Sequence, residues 1–422
     1  MSRAMKDSGV EWIGEIPEGW DVVRFKDVLY KKKEICKSYN GEDILSLTMR
    51  GVIVRDLINP TGKMPATFDG YQHVEKDNLL LCLFDIDVTP RCVGVVKNNG
   101  LTSPAYSRYI LRKQESLEYY NYLLTYLDDK KILLSFTKSL RNTLTDEYFG
   151  VVKTLLPPIH EQQKIVDFLD EKTAHIESII SRTKESIEAF KAYKQALITE
   201  TVTKGLNPDV MMMDSGIEWI GEIPEHWKIN KLKYMIEFEP PKSEVTVKNI
   251  ECTFLPMEKL KNGKMNTDTQ KMVEDVYSGY SYFKENDIVL AKVTPCFENG
   301  NIAIAEGLTN GIGFGTSEIF TIRSQKINSK FLFYRLQEQT FKNEGKSTMY
   351  GTGGLKRIPG SFILNYKIGL PTNEEQQQIA DFLDEKTAHI DALIADKQKM
   401  VKELENYKKS LIYEYVTGKK EV

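Results

Sequence analysis

Fourteen residues near the start of the chain, DSGVEWIGEIPEGW at Asp7 to Trp20, return as DSGIEWIGEIPEHW at Asp214 to Trp227 with 12 positions identical. A second pair, EQQKIVDFLDEKTAHI from Glu161 and EQQQIADFLDEKTAHI from Glu375, repeats almost letter for letter. Between these frames the two copies diverge almost completely. The chain is therefore one unit written twice, a scaffold that offers the same surface in duplicate while two dissimilar inserts face different targets. At 422 residues it is too long for a single core and suits two units of about 200 residues.

Heptads are the clearest local signal. In the first copy Leu169, Ile176, Thr183, Phe190 and Leu197 recur every seven residues, with Val166, Thr173, Ile180 and Ile187 between them. The second copy carries Leu383, Ile390, Lys397, Leu404 and Leu411, with Ala380, Thr387, Ile394 and Val401. A sustained seam of this kind predicts two coiled-coil helices of about 65 Å. The first starts after Leu156-Pro157-Pro158, and the second starts at a capping box, with Thr372 on the N3 amide and Glu375 reaching back. Gly205 and Gly418 end them. Neither rod can bury its seam alone, and a pseudo-two-fold relation between the copies makes the pair antiparallel. The alternative is that each helix packs on its own globular region.

The expected organisation is a globular domain over 1–155, a coiled-coil helix over 156–206, a second globular domain over 207–369 and a second helix over 370–422. The fold class is mixed α/β (α+β). In the first globular region, strands are expected near 44–47, 79–84, 93–97 and 108–111, with a helix near 115–127. In the second they are expected near 253–255, 287–293, 301–305 and 319–322, with a helix near 329–339. Gly311 to Gly315 and Gly351 to Gly354 read as loops.

Five scattered cysteines without C-x-x-C spacing indicate reduced thiols, a cytoplasmic setting and no zinc site. No signal sequence or membrane-length apolar run is visible. A net charge of −3 and a pI of about 6.1 exclude a protein that coats nucleic acid unaided. Catalytic patterns fail one by one. Gly345-Lys346-Ser347 lacks the glycine that a phosphate cradle needs at Thr340, and Gly311 to Gly315 precedes a strand rather than opening a helix. Neither Pro157-Pro158-Ile159 nor Pro240-Pro241-Lys242 forms the loop that holds a flipped adenine, and His175 and His389 suit packing or an interface. No metal-dependent nuclease centre is apparent.

A duplicated unit with an IPxxW entrance (Ile16 to Trp20, Ile223 to Trp227), a variable region, the LPPxxEQ segment at Leu156 to Gln162 and a heptad helix resembles the specificity subunit of type I restriction-modification enzymes. Asp287 to Arg323 is similar to a recurring target-recognition domain of that family. The second copy departs at Leu370-Pro371-Thr372-Asn373, where one proline of the pair is lost. The resemblance implies a non-catalytic subunit with two target-recognition domains that reads a split site in double-stranded DNA. Its partners would be two modification subunits and the restriction subunits, and S-adenosylmethionine, ATP and Mg²⁺ would belong to those partners. A coiled-coil adaptor that binds proteins without DNA specificity is the alternative.

Candidate DNA contacts are Arg50, Arg55, Arg91, Lys97, Arg108 and Arg141 in the first variable region. In the second they are Lys292, Asn299, Asn301, Lys346, Lys356 and Arg357, with Lys356-Arg357 beside the Gly-rich loop the foremost pair. All four tryptophans, Trp12, Trp20, Trp219 and Trp227, fall in the duplicated entrances and are candidate anchors for a partner, or else close their own cores.

Overall fold

A computed structural model of the chain describes residues 3–60, 62, 64–137, 142–352 and 354–422. The chain divides into two compact units, one made of Met1–Lys184 with Lys399–Val422 and the other of Glu185–Gln398. Two long helices, Ile159–Lys204 and Asn373–Val416, each contribute to both units. Among the described residues no helix is long and apolar enough to cross a membrane.

In the first unit the start of the first long helix runs antiparallel to the end of the second, since Glu177 pairs with Lys408 and Lys184 with Glu405. The seam residues Val166, Leu169 and Ile176 enter one core with Leu411, Ile412 and Val416. In the second unit Lys194 meets both carboxylate oxygens of Asp391 at 2.8 Å, and Ile198 and Val202 share a core with Ile379 and Leu383. The helices thus pair antiparallel in each unit, the direction that the internal duplication predicts. Lys397, the charged residue in the second seam, extends over the Phe190 ring at 5.6 Å and keeps its ammonium at the edge. The same seam also packs on the globular head. The exposed ion pairs fix register more than stability, because pairs in water contribute only about 0–1 kcal/mol.

The two heads have the same topology despite their unlike sequences. In the first, one four-stranded sheet orders Leu29–Lys31, Ser107–Leu111, Leu79–Leu81 and Val93–Val95, and another orders Gly51–Val54, Ile44–Thr48, Gly100–Thr102 and Gln72–Val74. In the second, the matching sheets are Ile236–Phe238, Ile319–Ser324, Ile288–Ala291, Ile302–Ile304 and Gln270–Met272, Glu251–Leu255, Ile312–Gly315, Ser281–Lys284. Each second sheet has one parallel pair at its centre. A short helix follows in each head, Leu117–Asp129 and Ser329–Arg335, the latter succeeded by a separate helix at Gln339–Ser347.

Gly311 to Gly315 departs from the expected loop: Ile312–Gly315 is a central strand. A Cβ on Gly313 would lie 2.1 Å from the Phe283 ring, and one on Gly315 would lie 3.1 Å from the Leu255 carbonyl oxygen. These glycines make room for a neighbouring ring and backbone rather than breaking a strand. Gly345 likewise serves packing, since its Cβ would meet Phe297 at 2.4 Å.

Candidate nucleic-acid interface and the repeated frames

The repeated letters are explained first by what they hold inside each unit. Trp20 and Trp227 are buried, and their indole Nε1–H groups donate to Glu161 Oε2 at 2.8 Å and Glu375 Oε1 at 3.0 Å. Glu375 therefore does not reach back to complete a capping box, although Thr372 Oγ1 does accept its backbone N–H at 3.3 Å. One residue further on, Gln162 and Gln376 donate to Pro157 O and Pro371 O, and accept from the N–H groups of Ser116 and Asn328, which cap the head helices. Tyr122 donates to Asp170 at 2.6 Å and lies 3.1 Å from Thr173; Tyr334 repeats this with Asp384 and Thr387 at 2.7 and 3.1 Å. The frame is a socket that seats a head on a helix. The helix ends complete it: Gly418 abuts Pro17 and Trp20, and Gly205 abuts Trp227 and Glu375.

Trp20 and Trp227 are thus core residues, unavailable as anchors for a partner. Trp219 remains 39% exposed, and Trp12 is half-buried with an Nε1–H that is out of water and has no acceptor among the described residues. Both sit in the turn of a small hairpin, Met5–Asp7 with Glu15–Pro17 and Met212–Asp214 with Glu222–Pro224. His175 and His389 are exposed on the helices.

The heads differ at their loops. In each, the connection between the third and fourth strands of the first sheet holds a Thr-Pro pair, Thr89-Pro90 or Thr294-Pro295, and a later segment pairs with it. Leu144 N–H donates to Leu83 O at 2.7 Å; the matching bond runs from Ile358 N–H to Lys292 O at 3.0 Å. Thr294 Oγ1 donates to Gly354 O at 2.7 Å and accepts Lys356 N–H at 3.0 Å, which pins the Gly-rich loop to the Thr-Pro loop. In the first head Thr48 and Met49, in the turn Thr48–Gly51, lie beside the Thr-Pro loop, sharing a cleft of about 270 Å³ with Phe84, Thr89 and Pro90.

Several expected contacts have other roles. Arg108 is fully buried, ion-paired with Glu75 at 2.7 Å and hydrogen-bonded to Asn78, so it joins strands and cannot reach a ligand. Arg91 is engaged by Asp128 and Asp129 at 3.5 and 3.3 Å, and Asn301 is buried. Arg357 forms a bidentate pair with Glu318 at 2.7 and 2.8 Å, and that guanidinium, outweighing partial burial, holds the Glu318 carboxyl below its ordinary range. Lys346 faces Glu298 at 3.5 Å, Lys292 lies over Phe320 at 5.1 Å, and Arg55 is half-buried. Arg50, Lys97, Asn299 and Lys356 are exposed, whereas Arg141 and Gly353 lie outside the described residues. Charge-based reading passed over the exposed apolar neighbours of these cations, Met49, Tyr350 and Leu355.

Comparison with known proteins agrees with this architecture. Residues 224–403 match the family model described as type I restriction modification DNA specificity domain. The chain is 31% identical over 437 residues to the type I restriction enzyme MjaVIII specificity subunit of Methanocaldococcus jannaschii, covering 96% of this chain and 93% of that one. It is 34% identical over 200 residues to the EcoEI specificity subunit of Escherichia coli, covering 46% of this chain. The matched regions span only 33% of the EcoEI subunit and 27% of the EcoAI subunit. Among solved structures, a chain from work on complex assembly and conformational transition of the type I R-M system has a TM-score of 0.69 at 14% identity, with 95% and 98% of the two chains covered. The HsdS subunit from Thermoanaerobacter tengcongensis has a TM-score of 0.51 at 13% identity, with 96% and 98% covered. Two heads of one topology, seated by repeated sockets on antiparallel helices, together with a full-length relative of this similarity, place the chain in the family of type I restriction enzyme specificity subunits.

Proposed function

We propose that this chain is the DNA-reading subunit of a type I restriction-modification complex and recognises a bipartite site, one half with each head. The observation that carries this reading is the contrast between two heads of identical sheet order and the unlike loops that lie beside their Thr-Pro pairs, Thr48–Gly51 in one and Tyr350–Leu355 in the other. A common topology fixes how each head meets a duplex, and loop chemistry sets which bases it selects. Two modification subunits dock on the repeated frames, through the exposed faces of the Trp12 and Trp219 hairpins and of the helices, and restriction subunits join them. In this reading those partners bind S-adenosylmethionine, ATP and Mg²⁺ and carry out the chemistry, and the complex works in the cytoplasm where its DNA lies. With net charge −3, this chain gains part of its phosphate neutralisation from them.

The test is methylome sequencing of a host carrying this chain with its modification subunits, alongside gel shift of the assembled complex. A single bipartite adenine motif is expected. Protection of one continuous site, or assembly without any salt-sensitive DNA affinity, sinks the proposal, and the latter result selects a protein-binding adaptor.

A further inference from the structure

Each head holds an exposed apolar tip against its Thr-Pro loop, and the two tips come from unrelated elements. In the first head it is a hairpin turn: Met49 is 62% exposed, Arg50 beside it is exposed, and the turn is fixed by Thr48 Oγ1, which donates to Gly51 O at 2.9 Å and accepts Arg50 N–H at 3.1 Å. Gly51 holds a φ of +89°, which favours glycine. In the second head the tip is the Gly-rich loop, with Tyr350 61% and Leu355 58% exposed and Lys356 exposed next to them. This loop is equally fixed, by Thr294 at Gly354 and Lys356, by the backbone pair of Tyr350 with Arg357, and by the Arg357–Glu318 pair at its base. Gly351 is required there, because a Cβ would lie 2.4 Å from Leu355 O.

Ordered loops that keep large apolar side chains in water forgo the burial a looser loop would find by folding back. A contact with a partner restores that burial. The chemistry at both tips is the same, one or two apolar side chains with a cation immediately alongside. Protein interface centres are depleted in lysine, the cation of the second tip, whereas a side chain wedged into a duplex unstacks a base step while neighbouring cations, Arg50 in one head and Lys356 in the other, take the phosphates. Methionine, leucine and aromatic side chains suit such insertion.

We propose that Met49 in the first head, and Tyr350 with Leu355 in the second, insert between stacked base pairs within the two halves of the DNA site. The proposal rests on the DNA-reading function above and adds a deformation of the duplex to it.

The test uses the full chain assembled with its modification subunits, and duplexes of the site found by methylome sequencing with 2-aminopurine placed at successive steps other than the methylated adenine of each half, which its methyltransferase flips, and that adenine's neighbours. Wild type is expected to raise fluorescence at one step in each half. Met49→Ala should abolish the rise in one half only, and the double variant Tyr350→Ala/Leu355→Ala in the other only, each with affinity reduced about tenfold. A bipartite site protected by wild type without any fluorescence rise overturns insertion while leaving recognition intact. Variants that keep both the rise and the affinity also overturn it, as does loss of a modification subunit by native mass spectrometry with the fluorescence unchanged. If wild type protects no bipartite site, both readings fail.

Discussion

Glu161 and Glu375 each accept the indole N–H of a buried tryptophan, yet different residues complete the two pairs. Arg3 bonds Glu161 and lies over Trp20 at 5.5 Å, whereas His226 Nε2 approaches Glu375 at 3.0 Å. Partial burial pushes the Glu161 carboxyl up, but the bonds from Arg3 and Trp20 outweigh it and hold the acid below its ordinary range. A carboxylate depressed in the folded state stabilises fully above its unfolded value, near 4.3, and that contribution is lost as pH falls through the folded value. Glu161→Gln should therefore cost about 1–2 kcal/mol at neutral pH, and its unfolding temperature should begin to converge on that of wild type as pH falls below the unfolded value and meet it only below the depressed folded value. A gap that persists undiminished in acid would assign the effect to packing. The second head offers a contrast between neighbours. Lys356→Ala should weaken DNA binding across sequences and reduce the salt slope by about one. Arg357→Ala, which strips Glu318 of a bidentate partner, should chiefly loosen the loop and lower the melting temperature, as thermal unfolding without DNA would show.

At the scale of elements, the helix ends make an ordered pair of substitutions. Gly205 and Gly418 both have positive φ, +80° and +69°, so alanine at either costs about 1–2 kcal/mol from backbone conformation alone. A Cβ at Gly418 would also lie 2.6 Å from Pro17, whereas at Gly205 the nearest atom is Glu375 Oε1 at 3.1 Å, the end of a side chain. Gly418→Ala should be the more destabilising in chemical denaturation, and the reverse order would show that the close approach to Pro17 does not set the cost. These ends were legible because a glycine after a long heptad run has one common meaning. The frames were legible because they repeat by letter, but the duty they perform was not: Gln162 meeting Ser116, or Tyr122 meeting Asp170, joins residues far apart in the chain. The common topology of the heads escaped notice for a related reason. Its trace in the sequence is only a turn, Glu75 to Asn78 and Lys284 to Asp287, where Asp77 and Asn286 take φ of 65° and 68° and the next residue, Asn78 or Asp287, receives a buried arginine, Arg108 or Arg323. Residue type alone could not separate Arg108, neutralised by strands that arrive from elsewhere, from Arg50, which stays in water.

For the whole molecule, the long helices pass from one unit into the other, so their length between the units is a parameter independent of either head. Inserting one heptad after Lys184 and another before Lys399 keeps every socket intact and preserves the seam. It adds about 10 Å of rod, equivalent to roughly three base pairs at 3.4 Å each. A heptad turns a straight helix by only about 20° relative to a perfect repeat, whereas three base pairs rotate the duplex by roughly 100° at 10–10.5 pairs per turn. A complex built on the variant should therefore have the same half-sites methylated with a longer spacer and bind them more weakly, since protein or DNA must twist to bring both heads into register. Methylome sequencing reads the spacer directly, and gel shift the affinity. Insertion into the first helix alone displaces Lys184 from Glu405 and Lys194 from Asp391 relative to each other, so it should lower stability without producing any new spacer. An unchanged spacer in the doubly extended protein, or altered half-sites at constant spacer, would show that the helices do not set the distance over which the site is read.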